Sequence, residues 1–284
     1  MALLNRIRGG TFRPAWHYAA HGTLWQVQVG SPHFLLGEAR DQEKKRVSFF
    51  SIDRGTGEVY WEGVNPAGSW WAGVEGVFGR TVLFHGFATP DLPIHKGIFA
   101  VDGITGKLLW SEPELRFLWC RGGIVGVRPL AGEAQREGLL DLASGREFHG
   151  SAEGELASPA SVEPEEPADY PSPLDRLSGG DPAAAEAVRR GIPSGFVPES
   201  LFAILAGANA IVEYARGNPG SPADRRSYRV MISILDRKTG RRLFEATILP
   251  DAPAGRPEPF FVQRGVLFYV ADRTSLTALP LGNS

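Results

Sequence analysis

GIFAVDGITGKLLW, residues 97–110, reads as a tight β-hairpin: an apolar strand, then Asp102-x-x-Thr105-Gly106, then a second strand ending in Trp110. The Asp carboxylate caps free amides of the turn and Thr adds a second local hydrogen bond. Gly takes the positive φ that a type I turn with a G1 bulge requires. The same arrangement recurs in FSIDRGTGEVYW (Asp53, Gly57, Trp61), LLDLASGREFH (Asp141, Gly145, Phe148) and ISILDRKTGRRLF (Asp236, Gly240, Phe244). Turn chemistry accounts for all four Asp residues, and none needs a catalytic explanation.

The Asp-to-Asp spacings are 49, 39 and 95 residues. A four-stranded propeller blade takes roughly 40 to 45 residues, so the first two intervals are one blade each. The third is one blade plus an insertion. The expected fold is therefore all-β: a single five-bladed β-propeller over residues 1–284, with inner strands beginning near Pro32, Trp71, Phe117, Leu201 and Phe260. The C-terminal stretch PFFVQRGVLFYVADRTSLTALPL supplies three strands of a last blade, and the N-terminal HGTLWQVQVG is expected to complete it, removing a free edge.

The insertion, residues 151–200, has eight prolines, a net charge of −7 and no period-2 alternation, so it is not a further blade. Within it GDPAAAEAVRRG reads as one short helix, with Asp181 at the N-cap, Pro182 at N1, Arg189 and Arg190 in the last turn and Gly191 just past the end.

Composition agrees with this architecture. Gly 35 and Pro 22 in 284 residues suit many short strands joined by turns, and 43% hydrophobic residues suffice for a core. The net charge of −2 leaves only +5 outside the insertion, which gives no electrostatic case for nucleic acid. The single cysteine, Cys120, follows an apolar run in an expected inner strand, the setting of an inert thiol. The first residues are too short for a signal-peptide core, and no apolar run approaches a membrane span; a cytoplasmic location is expected.

The repeat resembles that of the quinoprotein-type propellers, most closely in its second copy. The stretches HFLLGEARDQEKKRVSFFSID, SWWAGVEGVFG and HGFATPDLPIHKGIFAVDGITGKLLW also resemble a bacterial domain family without an assigned function. In quinoproteins the motif is a packing device, the indole of one blade wedging against the next. A buried Trp hides 150 to 250 Å², worth roughly 4 to 6 kcal/mol, so Trp61 and Trp110 are read as structural. The quinone dehydrogenases typically have eight blades, a calcium and often a vicinal cysteine pair. This chain has one cysteine and no acidic cluster of calcium-loop spacing. No cofactor and no metal are expected.

Propeller topology sorts the long loops (39–46, 64–70, 88–96, 129–137, the insertion and 216–227) to one face, the default binding surface. Its candidate contacts are Glu38, Arg40, Trp70, Asp91, His95 and Lys96; Trp71 either joins them or, as the start of an inner strand, belongs to the core, the favoured reading. His95 beside Lys96 suits an anion or a proton. His17 and His21 have the spacing of a helical metal pair, but Pro14 and Gly22 flank them and favour an extended arm. There is no Gly-x-Ser-x-Gly elbow and no phosphate loop, and no catalytic residue is assigned. The expected function is a non-catalytic binding or scaffold protein that holds a protein or peptide on the loop-rich face. The alternative is a hydrolase or lyase acting on a carbohydrate or other small ligand in the central channel, and a quinone- or metal-dependent enzyme ranks third.

Overall fold

The computed structural model describes residues 12–89, 92–130, 137–148, 167–219, 227–252 and 259–282. Among them, twenty strands make five sheets with antiparallel neighbours. The chain divides into two compact units, one of residues 21–165 and one of residues 1–20 with 166–284. No helix among the described residues is long and apolar enough to cross a membrane.

Strand β1 (Trp16–Ala19) belongs to the second unit. The first holds three sheets in chain order: β2 (Thr23–Gly30), β3 (Phe34–Asp41), β4 (Arg46–Asp53) and β5 (Val59–Val64); then β6 (Ala72–Phe78), β7 (Thr81–Thr89), β8 (Leu92–Asp102) and β9 (Leu108–Glu112); then β10 (Leu115–Arg121), β11 (Ile124–Pro129) and β12 (Gly138–Asp141). Side chains alternate across each strand, so the middle sheet is buried on both faces. From β7, Val82 and Phe84 pack with Phe34, Leu36, Phe49 and Trp61 of the first sheet, whereas Leu83 packs with Val125, Val127 and Leu140 of the third.

The repeated turns hold the sheets in sequence. Asp102 Oδ1 accepts from the amides of Ile104 (3.0 Å) and Thr105 (2.7 Å) and from the Thr105 hydroxyl (3.0 Å), with Gly106 at φ 69°. Asp53, Asp141 and Asp236 cap their turns in the same way, and Gly57, Gly145 and Gly240 have φ of 76°, 69° and 74°. Burial raises the Asp102 pKa, but hydrogen bonds from Arg80 and Thr105 outweigh it and hold the carboxyl below its usual range. Each indole then docks on the next turn. Trp61 Nε1 donates to the Gly103 carbonyl (2.9 Å), and a Cβ on Gly106 would lie 2.9 Å from the Trp61 ring. Trp110 Nε1 donates to the Leu142 carbonyl (2.8 Å), and a Cβ on Gly145 would lie 2.6 Å from the Trp110 ring.

In the second unit, β13 (Ser172–Pro173), β14 (Phe202–Ala206), β15 (Asn209–Gly217), β16 (Tyr228–Asp236) and β17 (Arg242–Ala252) form one sheet. β18 (Phe260–Gln263), β19 (Val266–Ala271) and β20 (Ser275–Pro280) form the other, with β1 on its edge. Two helices, α1 (Leu174–Gly180) and α2 (Pro182–Gly191), follow β13. The first sheet is covered on one side by the second, through Ile211, Ile232, Phe244, Val262 and Leu267. On the other side it is covered by α2, through Ala185 and Val188.

Four sequence expectations change. The strand that joins the C-terminal hairpins is Trp16–Ala19, with Trp16 opposite Ala278, not residues 21–30. Residues 23–30 instead pair with β3, because residues 31–33, with His33 at φ 59°, turn the chain back on itself. At the outer edge of the third sheet the described residues make one bridge, Leu140–Glu147. Gly191 is the last helical residue of α2, not the one beyond it, and Ile192 caps the helix. Finally, the helices of the insertion pack at the tight-turn end of their sheet: Arg237 pairs with Asp181 at 2.6 Å, and a Cβ on Gly240 would lie 2.2 Å from the Ala187 carbonyl oxygen. The loop end of that sheet, around 216–227, is where the sequence reading had put them.

Candidate functional site

Glu38 and Arg40 lie two residues apart on β3 and so share one face of the strand. Glu38 is buried, and its Oε1 accepts from Arg40 Nε at 2.5 Å. Burial raises the Glu38 pKa, opposed by the charge and hydrogen bond of Arg40 and, last, by His85. Arg40 also donates to two main-chain carbonyls of the neighbouring sheet, Trp70 at 3.2 Å and Ala72 at 2.7 Å. Its guanidinium sits 5.1 Å from the Trp70 ring centre and 5.7 Å from that of Trp25. With three donors engaged, Arg40 is a brace between two sheets and not a free cation for a ligand.

The brace fixes a row of indoles. Trp70 and Trp71 meet edge to face with centroids 6.5 Å apart, and Lys45 Nζ lies 5.4 Å from the Trp70 ring. Trp25 is 59% exposed and Trp71 43%. Trp71 is therefore surface and not core: it precedes β6, its carbonyl accepts from the Phe87 amide at 3.0 Å, and its ring meets Trp70.

Beyond the brace, strands β6, β7 and β8 bring together Glu75, His85, Phe87 and His95. His95 Nδ1 lies 2.8 Å from Glu75 Oε1, within hydrogen-bond distance. His85 Nδ1 lies 3.2 Å from the same oxygen but off the line a hydrogen bond needs, and neither ring nitrogen of His85 has a hydrogen-bond partner. The ring is 4% exposed. The two imidazoles stack with centroids 3.6 Å apart and planes 12° from parallel, and Phe87 stands edge-on to both, at 5.0 and 5.2 Å. Gly73, the register partner of His85, makes room for the pair: a Cβ there would lie 2.8 Å from His85 Nε2.

Of the sequence candidates, Glu38, Arg40 and Trp70 form one contiguous group, and His95 joins Glu75 and His85. Lys96 lies apart, its Nζ 3.9 Å from exposed Glu114. Asp91 lies outside the described residues. Trp25 lies in the stretch expected to complete the last blade, and Glu75 and His85 carried no sequence signal, since VEGVF and LFHGF read as plain strands and only the register places Gly73 opposite His85. His17 lies opposite Thr277 on β1 and His21 lies in the bend after that strand, so the two do not form a helical pair. Cys120 has its thiol pKa pushed up to about 12 by burial, which keeps it protonated and unreactive.

The second unit has its own concavity, about 340 Å³, lined by Tyr214, Arg216, Asn218, Arg229, Met231 and Glu245 among others. Arg216 and Arg229 oppose each other directly across β15 and β16. Glu245 accepts from the Tyr214 hydroxyl and pairs with Arg242, each at 2.7 Å.

A family model described as a domain of unknown function (DUF4905) matches residues 31–110. That stretch is less than a third of the chain and contains Glu38, Arg40, Trp70, Glu75, His85 and His95. No curated protein matches the chain. Among solved structures, a europium-containing methanol dehydrogenase is 14% identical, with 93% of this chain and 52% of that one covered at a TM-score of 0.31. The chain thus spans about half of that enzyme's length. A member of the DUF4221 family from Bacteroides vulgatus is 7% identical, with 99% of each chain covered and a TM-score of 0.33. The β-propeller domain of Cps50 (Swd1) from Myceliophteria thermophila is 11% identical, with 93% and 98% covered and a TM-score of 0.34.

Proposed function

We propose that the five sheets are the blades of one β-propeller, with β1 completing the last blade, and that the protein works as a binding module for an exposed peptide segment of a protein partner. The blade reading is supported by the succession of antiparallel sheets in chain order and by the two indoles that dock on the following turns. The binding reading rests on one observation: Trp25, Arg40, Trp70 and Trp71 form a continuous row in which a half-buried brace presents two exposed indoles. Exposed tryptophans held rigid lose little freedom on binding, and Trp, Tyr and Arg dominate the energetics of protein interfaces. The basic run Lys44–Arg46 beside Trp70 favours a segment that pairs an apolar anchor with acidic neighbours.

Panning immobilised protein against a displayed library of random peptides tests this. The expected result is a family of peptides whose affinity falls at least tenfold, about 1.4 kcal/mol, in Trp25→Ala or Trp71→Ala. Peptides unaffected by both substitutions, or no peptide together with specific oligosaccharide binding on a glycan array, would overturn the reading.

A further inference from the structure

We infer that Glu75, His85 and His95 form a binding site for a first-row divalent transition metal such as Zn²⁺ or Co²⁺. The donor set is two imidazoles and one carboxylate, a borderline combination that favours these ions over Ca²⁺ and Mg²⁺, which take oxygen ligands. One donor atom from each residue lies within 4.8 Å of the others. Bonds of about 2.1 Å to a tetrahedral ion hold donors roughly 3.3 Å apart, and the two Nδ1-to-Oε1 separations are already 2.8 and 3.2 Å. The site has the three protein ligands that leave a further position open.

An independent observation points the same way. His85 is almost wholly buried, yet neither of its ring nitrogens makes a hydrogen bond. Such a group is costly to leave unsatisfied. The space it occupies is built for it, since Gly73 removes the side chain that would collide with the ring and Phe87 walls one side. A cation beside Nδ1 would satisfy that atom and offset the charge of the buried Glu75 carboxylate.

The parallel stack is the hydrogen-bonded resting arrangement. A σ-bond to an imidazole nitrogen lies in the ring plane, and two planes 3.6 Å apart do not converge on one ion. Binding therefore requires one ring to tip. The ring with open space beside it is His95, whose side chain is 38% exposed, whereas those of Glu75 at 7% and His85 at 5% are enclosed. The site stands apart from the peptide-binding reading: either can fail alone.

The test is titration of chelator-stripped full-length protein with Co²⁺ and Zn²⁺ salts, read by calorimetry and by the visible d–d bands of Co²⁺. We expect one ion per chain, intense tetrahedral Co²⁺ absorption and no response to Ca²⁺. His95→Ala, the exposed ligand, should lower affinity at least a hundredfold while the melting temperature without metal stays near that of the wild type. Glu75→Gln should lower it at least tenfold. Absence of both heat and visible bands in the wild type would overturn the proposal, and so would binding that His95→Ala and Glu75→Gln leave unchanged, which would place the ion elsewhere.

Discussion

The turns at Gly106 and Gly145 each receive an indole, whereas the turn at Gly240, with the same Asp, Thr or Ser, and Gly pattern and a φ within a few degrees, receives a helix. At Gly106 the missing Cβ is replaced by the edge of Trp61, a side chain that can shift slightly. At Gly240 it is replaced by the main-chain carbonyl of Ala187, and the reciprocal position, Gly191, would place a Cβ 2.4 Å from the Gly240 oxygen. One turn motif therefore serves two kinds of neighbour. The insertion supplies α2 where no tryptophan docks, and Asp181, Arg237 and Arg242 tie the helix to the turn. What the motif specifies is a flat, glycine-faced landing surface, and the neighbouring segment decides what lands there.

The comparison breaks most visibly at the indole. Trp61 is 8% exposed and its Nε1 hydrogen bond is buried, so Trp61→Ala should destabilise the protein by about 3 to 5 kcal/mol through lost burial and the cavity left behind. Trp110→Ala should cost less, because its ring is only partly buried. Urea unfolding of both variants, followed by far-UV circular dichroism, checks the order. Equal losses would mean that the two docking contacts do not differ as their burial implies.

The helix side is probed by Gly240→Ala, compared with Gly106→Ala. Both introduce a Cβ at positive φ, an unfavourable conformation for an L side chain. Only at Gly240 does the new atom meet main chain, the Ala187 carbonyl and the Gly191 nitrogen of α2. We expect about 2 to 3 kcal/mol for Gly240→Ala and about 1 to 2 kcal/mol for Gly106→Ala. A reversed order in denaturant midpoints would show that Trp61 is held more tightly than the helix.

These contrasts also mark what could be read from the residues alone. The Asp-x-x-Thr-Gly turns, the all-β class, the capped helix and the placing of Glu38, Arg40 and Trp70 near one another follow from local chemistry and strand order, which operate over short stretches. The Trp16–Ala19 pairing with β20 was missed because the stronger alternating run, residues 23–30, lies beside it and competes for the same role. Glu75 and His85 were missed for another reason: a polar side chain buried inside a strand announces itself only through its partners. For His85 those partners, Gly73 across the register on β6 and His95 on the neighbouring β8, are set by pairing and not by spacing. For Arg40, only tertiary structure reveals that its donors end on the Trp70 and Ala72 carbonyls.

The smallest expected difference between the two kinds of landing surface is its response to acid. Asp181 is held below the usual carboxylate range by the Arg237 hydrogen bond, then by the Ala184 amide, and Asp236 by the Thr239 hydroxyl and amide. A carboxyl whose pKa is lower in the folded state contributes stability that is complete above its unfolded value, near 3.9, and is lost as pH falls through the depressed folded value. The helix-bearing turn thus has two such groups at one junction, one on each side of the contact. Stability should decline between about pH 4 and pH 2, and Asp181→Asn should flatten part of that decline while lowering stability at neutral pH by less than either glycine substitution. Denaturant midpoints measured across this range for wild type and variant give the comparison. Parallel curves would show that the Asp181 to Arg237 pair does not hold α2 on its turn.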